Sequence, residues 1–288
     1  MSTDVTKNIW FAVFLTEYIV IIIINVFTLI VFARSRHLRR GNKYLIMNLT
    51  VADLFIGAAA GPETLWFIKT EKRSTHGLKA LYVTITDICW IASLGNLALI
   101  SLERLHATLY PFRHCLVGKR IYYKIIIFSW LGALILACVL HITRMNDVPL
   151  ADRYPWIIYI FLTLAVLTMS YVIIISKFIR KAHVQHLGSV MSAERKLSVT
   201  LFIVSAASIL TLLPYVIIIC ITASSDRHSW TTPTSYRIAL AFYNLNSILN
   251  PVIYAIRLSE FRRALKELFC KNTSYPVRRD QPIELQAM

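Results

Sequence analysis

Charged side chains are scarce in this sequence. Asp, Glu, Lys and Arg make up 16% of its 288 residues, whereas a soluble domain carries about 25%. The charge is also unevenly spread, because residues 154–176 and 197–223 contain none of these four residue types. A large soluble helical protein buries shorter helices that are apolar on one face only. Uncharged stretches of this length therefore argue against a soluble fold.

Long apolar runs take the place of the missing charge. A bilayer core about 30 Å thick is crossed by a helix of about 20 apolar residues. Seven segments reach that size, at 9–33, 44–68, 80–102, 121–142, 154–176, 197–223 and 235–256. We predict an all-α membrane protein, a seven-transmembrane helix bundle over 9–256. A short extracellular N-terminus, 1–8, precedes the bundle, and an interfacial helix with a cytoplasmic tail, 257–288, follows it.

The segment after the last apolar run has a different pattern. Within 259–269 one helical face carries four apolar residues and the other carries three cations, namely Phe261, Leu265, Leu268 and Phe269 against Arg262, Arg263 and Lys266. This pattern is typical of an amphipathic helix lying in the membrane interface. Cys270 follows directly, and a cysteine there is either a palmitoylation site or an ordinary free thiol.

The sequence contains only five cysteines, and their positions do not suggest a disulfide. By this topology none of the five cysteines lies in an extracellular loop. Cys138 and Cys220 stand near the outer ends of the fourth and sixth segments, which need not be neighbours, so we expect no structural disulfide. A basic leader with a small-residue cleavage site is also missing. The first segment is therefore expected to direct insertion itself.

Basic residues set the expected orientation. The loops after the first, third and fifth segments, together with the tail, hold 22 of the 31 Lys and Arg and six of the 15 Asp and Glu, which accounts for the whole net charge of +16. The positive-inside rule then places the N-terminus outside and the C-terminus in the cytoplasm. The basic excess favours contact with anionic membrane lipids. No basic stretch belongs to a soluble domain, so a nucleic-acid partner is not expected.

Polar residues inside the apolar segments are costly, so each is a functional hypothesis. Asp53 stands in the middle of the second segment. Amides and hydroxyls of other segments should converge with it inside the bundle; these are Asn25, Ser93, Asn96, Asn244, Asn246, Ser247 and Asn250. One carboxylate among neutral oxygens makes a small-cation site or a hydrogen-bonded network around a protonated Asp53, and the two readings can hold at different pH.

Three further acids and two prolines lie within the segments. Asp87, near the outer end of the third segment, faces either a ligand cavity or the surface, whereas Glu17 and Glu63 are expected at the interface. Pro214 and Pro251 each remove a backbone hydrogen bond and kink their helix. Each proline is either simply tolerated or serves as a hinge.

Several motifs occur in a fixed order along the chain. The third segment continues into ISLERLHATLYPFRH, with Glu103, Arg104 and then Leu105, and the seventh ends in NSILNPVIY, with Asn250, Pro251 and Tyr254. Asn25, Asp53 in NLTVADLF, Trp130, Tyr171 and Pro214 stand between or before them. Together these residues resemble the rhodopsin-like (class A) G-protein-coupled receptors over residues 25–270, with Leu105 where that family carries tyrosine.

The resemblance implies a receptor of the plasma membrane rather than an enzyme. An agonist bound on the outer side would shift the bundle to a state that activates a cytoplasmic heterotrimeric G protein. The family's coupling and switch positions correspond to Glu103, Arg104, Tyr171, Glu194, Pro214, Asn250, Pro251 and Tyr254. Its allosteric sodium site, the only cofactor implied, corresponds to Asp53, Ser93, Asn246, Ser247 and Asn250. The ligand cavity would include Thr86, Asp87 and Tyr215.

Departures from the family pattern exclude some classes of ligand but do not identify the ligand. Lys79 stands at the position of the usual disulfide cysteine, Leu212 at that of the sixth-helix tryptophan, and Thr163 at that of the fifth-helix proline. The missing disulfide, the missing fifth-helix proline and the short loop between the fourth and fifth segments together resemble the melanocortin, lysophospholipid, cannabinoid and adenosine branch. Thr86 replaces the amine-anchoring aspartate, and without a lysine in the seventh segment no retinal Schiff base can form there. A small molecule, a lipid and a peptide all remain open.

Two other classes are compatible with seven spans. A transporter or channel could use a buried acid, but transporters usually show repeats with broken helices in matched halves, and none is visible in the sequence. An intramembrane enzyme would need a motif such as His-Glu-x-x-His or Gly-x-Ser-x-Gly, and neither occurs. A G-protein activation assay distinguishes all three classes.

Overall fold

The computed structural model describes residues 2–35, 43–70, 78–146, 153–182, 190–223 and 234–269. In these ranges the chain is helical, and seven helices are long and apolar enough to cross a membrane. In chain order the helices are α1 Ser2–Arg34, α2 Lys43–Thr70, α3 Leu78–Leu109, α4 Pro111–Cys115, α5 Lys119–Met145, α6 Arg153–Ala182, α7 Val190–Ala223, α8 Thr234–Arg257 and α9 Ser259–Phe269. Each predicted apolar segment corresponds to one long helix, so the predicted fold class is confirmed.

Apolar side chains cover the outside of the bundle. Phe128 of α5 is 71% exposed and Ile23 of α1 is 63% exposed, and similar residues continue along α6 and α7. Water disfavours such a surface, but lipid tails solvate it. The long helices therefore hold their apolar residues outward and their polar residues inward, as a bilayer requires.

The third helix is the centre of the bundle. It packs against α2, α5, α6 and α7, while α8 packs against α7, α1 and α2. The buried polar residues of α1, α2, α3 and α8 face one another in the space between these helices. This arrangement brings together residues that are far apart in the sequence.

Two short helices follow the third and the last spans. The sequence analysis missed α4, whose signal is Pro111 at its first position, a place that proline favours. The predicted helix over 259–269 is present as α9, and its Phe261 is buried against Phe32 with ring centroids 5.6 Å apart. Lys43 of α2 forms an ion pair with Glu260 of α9. Contact of α9 with lipid stays a prediction, and Cys270 lies outside the described residues.

Candidate functional site

Asp53 is the centre of a buried polar cluster halfway along the bundle. Its side chain is 0% exposed. Oδ1 accepts hydrogen bonds from the hydroxyls of Ser93 at 2.7 Å and Ser247 at 3.1 Å, and Oδ2 accepts one from Asn250 Nδ2 at 2.9 Å. The structure thus brings α2, α3 and α8 together at one carboxylate. Asn246, expected in the same set, is buried but makes no hydrogen bond to Asp53.

Several buried amide oxygens of these helices have no hydrogen-bond partner among the described residues. They are Oδ1 of Asn25, Asn244, Asn246 and Asn250. Leaving a buried acceptor unpaired costs about 1–3 kcal/mol. Hard cations such as Na⁺ are bound by carboxylate and amide oxygens, the ligand type of the Ca²⁺ and Mg²⁺ sites. Within the described ranges no group of three or more His, Cys, Asp or Glu could hold a metal ion.

A second network ties the same region to α5. Trp130 Nε1 donates to Asn48 Oδ1 at 2.9 Å, and Asn48 Nδ2 donates to Asn96 Oδ1 at 2.6 Å. Asn25 Nδ2 donates to the carbonyl oxygen of Ser247 at 3.1 Å, which joins α1 to α8. Sequence reasoning had expected Asn96 inside the bundle and had missed the role of Asn48. The signal was available, since Asn48 is another amide in an apolar segment.

Arg104 lies near the C-terminal end of α3. It is 2% exposed, and its Nε and Nη2 donate to the two oxygens of Glu103 at 2.5 Å. Glu103 also lies 3.1 Å from His114 Nε2 of α4 and accepts a bond of 3.3 Å from the hydroxyl of Tyr122 in α5. Sequence reasoning did not single out His114 or Tyr122. Four side chains therefore meet where the motif predicted two.

The remaining switch residues lie around this end of the bundle. Tyr171 is buried, accepts a hydrogen bond of 3.3 Å from Ser205, and contacts Phe202 edge-on. Tyr254 is fully buried, and its hydroxyl has no partner among the described residues. The helices run unbroken through Pro214 and Pro251. Glu194, another of the predicted switch positions, belongs to α7, but its side chain lies outside the described residues.

A lysine fixes the end of α3 against α6. Lys177 Nζ donates to the carbonyl oxygens of Thr108 at 2.5 Å and Leu109 at 3.2 Å. Carbonyls in the last turn of a helix lack partners within the helix and carry partial negative charge. The ammonium group of Lys177 supplies the missing hydrogen-bond donors and a positive charge beside the partial negative charge of these carbonyls.

In the N-terminal half of α3, Asp87 lies close to a cation of α5. Arg144 Nη1 donates to Asp87 Oδ2 at 2.5 Å, and both side chains are partly buried. One turn nearer the start of α3, Thr84 Oγ1 and His141 Nδ1 are 3.1 Å apart. The carboxylate of Asp87 is therefore neutralised within the protein. Thr86 is buried between these contacts, and its hydroxyl has no hydrogen-bond partner within the described helices.

An aromatic stack joins α3, α7 and α8. Tyr243 of α8 stacks on Trp90 of α3 at 3.8 Å and on Tyr215 of α7 at 4.7 Å, and Tyr215 contacts Tyr236 at 6.0 Å. Leu212, which stands at the position of the family's tryptophan, is 1% exposed. Sequence reasoning missed Trp90 and Tyr243 because an aromatic residue in an apolar segment carries no signal of its own.

Glu17 does not lie where the sequence suggested. It was expected at the membrane interface, but its Oε2 accepts a hydrogen bond of 2.9 Å from Asn244 Nδ2 of α8. Asn244 is 0% exposed, so the carboxylate of Glu17 points into the bundle. The long, flexible side chain of glutamate reaches a buried amide that its position along the helix does not reveal. The side chain of Glu63 is outside the described part of the chain.

The departures noted in the sequence have local structural solutions. Thr163, at the position of a proline, is buried and donates its hydroxyl to the carbonyl oxygen of Tyr159 at 2.8 Å. The four described cysteines, Cys89, Cys115, Cys138 and Cys220, are free thiols. Lys79 lies in α3, but its side chain is outside the described residues.

Comparison with known proteins agrees with this arrangement. The family described as "7 transmembrane receptor (rhodopsin family)" matches residues 24–152 and 151–254. The chain is 23% identical to the human (Homo sapiens) olfactory receptor 10A3, over 90% of this chain and 88% of that protein. It is 25% identical to the sheep (Ovis aries) lysophosphatidic acid receptor 1, over 91% of this chain and 72% of that protein.

Solved structures show the same architecture. Squid rhodopsin superposes with a TM-score of 0.74 at 18% sequence identity, covering 91% of this chain and 86% of that one. The likeness concerns the fold. The chain is about equally identical to two relatives from different receptor groups. The receptor branch that the sequence analysis expected therefore stays a prediction.

Proposed function

The chain belongs to the rhodopsin family of seven-transmembrane receptors, and we propose that it couples an extracellular agonist to a cytoplasmic heterotrimeric G protein. The relatives named above are receptors rather than enzymes, and the chain is a multi-pass membrane protein. The agonist binds the outer cavity better in an active state and shifts an equilibrium that already exists. In that state α7 moves outward, hinged near Pro214, and opens a cleft for the G protein.

One observation carries the proposal. Arg104 is buried at the cytoplasmic end of α3 and held by Glu103. A buried arginine needs a partner in the resting protein, and it presents five donors if that partner is exchanged. Arg104 is therefore the group that would be released toward the G protein, with Tyr171 and Tyr254 moving in beside it.

The resting state would be held by a second acid. Glu194 lies 20 residues before Pro214 in α7, about 30 Å along the helix at 1.5 Å per residue, which places it near the cytoplasmic edge. We infer that it pairs with Arg104 across the closed cleft and is separated from it on activation. Exposed pairs contribute about 0–1 kcal/mol, and partial shielding by the bundle would raise this contribution.

Two substitutions test the coupling mechanism. If a substitution destabilises the resting state by about 1.4 kcal/mol, the ratio of active to inactive receptor rises about tenfold. Glu194→Ala should therefore raise ligand-independent G-protein activation severalfold. Arg104→Ala should abolish activation while the protein still reaches the cell surface. The measurement is a cell-based G-protein assay normalised to surface expression. Unchanged basal activity in Glu194→Ala, together with normal signalling by Arg104→Ala, would contradict the mechanism.

A sodium ion is the proposed stabiliser of the resting state. Asp53 would supply the charge, and Ser93, Ser247 and Asn250 already surround it. The unpartnered amide oxygens of Asn246 and Asn250 support the proposal, since a cation would satisfy them. The proposed orientation places the N-terminus outside and the C-terminus in the cytoplasm of the plasma membrane.

A further inference from the structure

Glu17 differs from the other described acids of the bundle. Glu103 and Asp87 each lie beside a cation, and Asp53 is surrounded by three donors. Glu17 receives one hydrogen bond, from Asn244, and forms no ion pair with a described Lys, Arg or His. A half-buried carboxylate without a cation is unfavourable. Either a proton or a bound positive group offsets that cost.

Asn244 provides a second, independent observation. It is 0% exposed, it donates its Nδ2 to Glu17, and its Oδ1 is buried without a partner. The two side chains together therefore present acceptor oxygens that lack donors. An alkylammonium group has three N–H donors, one positive charge and no acceptor. It is the simplest group that satisfies both oxygens and neutralises the carboxylate.

The alternative anchors for an amine on α3 are closed. Thr86 has no charge, and Asp87 is paired with Arg144 at 2.5 Å. A protonated amine that enters from the outer side therefore meets its unneutralised carboxylate on α1, at Glu17. This location differs from the α3 position at which the sequence resemblance would place an amine.

An aromatic stack adjoins this pair along α8. Asn244 follows Tyr243, whose ring is buried and stacked between Trp90 and Tyr215. Because these rings already cover one another, the apolar part of a ligand would pack beside the stack rather than on a free ring face. Asn244 is ten residues from the start of α8, about 15 Å along it, which is a depth that a small molecule reaches.

We propose that Glu17 and Asn244 form a subsite that binds the protonated amino group of a small ligand. The proposal rests on the proposed receptor function and deepens it by naming a chemical class of ligand. The amine donates one N–H to a carboxylate oxygen of Glu17 and another to Oδ1 of Asn244. The hydrogen bond already present between these residues holds both acceptors in place before the ligand arrives.

The test uses simple ammonium ions as probes of the purified, full-length protein. Thermal unfolding is followed while n-butylammonium, cyclohexylammonium or 2-phenylethylammonium chloride is titrated at constant ionic strength. The corresponding alcohols, 1-butanol, cyclohexanol and 2-phenylethanol, are the matched neutral controls. A ligand that binds only the folded state raises the melting temperature by mass action. At least one ammonium ion should raise it in a saturable manner, and its alcohol should not.

Variants assign the effect to the site. Glu17→Gln keeps the shape of the side chain and should weaken the apparent affinity for the ammonium ion at least tenfold. Asn244→Ala should weaken that affinity too, and it tests the site even if Glu17→Gln does not fold. Asp4→Asn removes one exposed carboxylate from the same helix and should respond as wild type. The proposal is overturned if no ammonium ion exceeds its alcohol, or if both site variants respond as wild type.

The outcome is independent of G-protein coupling. Saturable stabilisation that depends on Glu17, in a protein that never activates a G protein, would support the subsite and contradict the proposed function. If the Arg104 and Glu194 variants change signalling as the coupling mechanism predicts, but no ammonium ion has an effect, the subsite alone is contradicted.

Discussion

Asp53 shows how one residue organises several helices. Its two carboxylate oxygens accept bonds from α3 and α8 while its backbone belongs to α2. A neutral amide at the same place keeps the shape but loses both the charge and half of the acceptor capacity. A substitution of Asp53 therefore acts on three helices together.

The sodium proposal is tested at this residue. NaCl should raise the melting temperature of the purified wild-type protein above its value in CsCl at equal ionic strength, because the larger cation fits the cluster less well and binding to the folded state stabilises it. Asp53→Asn should remove the difference between the salts. An equal sodium response in wild type and Asp53→Asn would count against the site.

The sequence predicted the members of this cluster better than their contacts. Asp53, Ser93, Ser247 and Asn250 stand out because each is polar within an apolar segment, and hydrocarbon forces such groups inward. Which amide bonds which acid depends on helix rotation and tilt, which hydropathy does not encode. For that reason the bond between Glu17 and Asn244 could not be predicted.

Among the helices, α3 is held along its whole length by side chains of its neighbours. Arg144 of α5 binds Asp87 in the N-terminal half of α3, and Lys177 of α6 binds the last carbonyls at its C-terminal end. Between them, the hydroxyl of Tyr159 in α6 donates to the carbonyl oxygen of Ile91 at 2.6 Å. Movement of α6 relative to α3 would break the two contacts made by Tyr159 and Lys177.

The middle contact gives a prediction at this scale. A Cβ atom at Gly95 would lie 2.8 Å from the hydroxyl of Tyr159, so Gly95→Ala should push the ring away and break its bond to Ile91. Loss of a buried hydrogen bond costs about 1–3 kcal/mol, and the melting temperature should fall. A Cβ at Gly132 of α5 meets nothing within 4 Å. Gly132→Ala is therefore the control, and it should be neutral or stabilising because alanine favours helices.

A fall in melting temperature that is equal for both glycine variants would contradict the close contact at Gly95. Tyr159→Phe provides a second comparison, because it removes the hydroxyl without adding a clash. It should be destabilising too, and Gly95→Ala should cost less in its background than in wild type, because two residues in contact are not additive.

Helix boundaries were predicted less well than helix existence. The first apolar segment begins at residue 9, whereas α1 begins at Ser2. Backbone hydrogen bonds continue where the side chains become polar, so an apolar run underestimates the helix. The five residues of α4 contain no apolar run at all, and only Pro111 marked its start.

For the molecule as a whole, two patterns coexist. The outer surface of the helices is apolar, and the net charge of +16 lies in the loops and tail assigned to one side. The first pattern made the seven helices predictable from the sequence. Their packing partners were not predictable, because lipid-facing and protein-facing apolar residues look alike in sequence.

Charge asymmetry predicts the orientation in the membrane. An epitope tag placed before Met1 should be stained by antibody on intact cells, since the basic loops stay in the cytoplasm. A tag after Met288 should be stained only once the cells are permeabilised. The opposite staining pattern would contradict the receptor orientation. A surface marker and a cytosolic protein serve as controls for membrane integrity.

The seam between α1 and α8 has a consequence for biosynthesis. Asn25 bonds the backbone of Ser247, 222 residues later, and Glu17 bonds Asn244, 227 residues later. At about 5–20 residues per second, the ribosome needs roughly 10–45 s to make the intervening chain. The first helix must therefore wait in the membrane with these polar groups unmatched until the last span is delivered. A nascent chain arrested before α8 would expose both groups to whatever cellular machinery monitors incomplete membrane proteins.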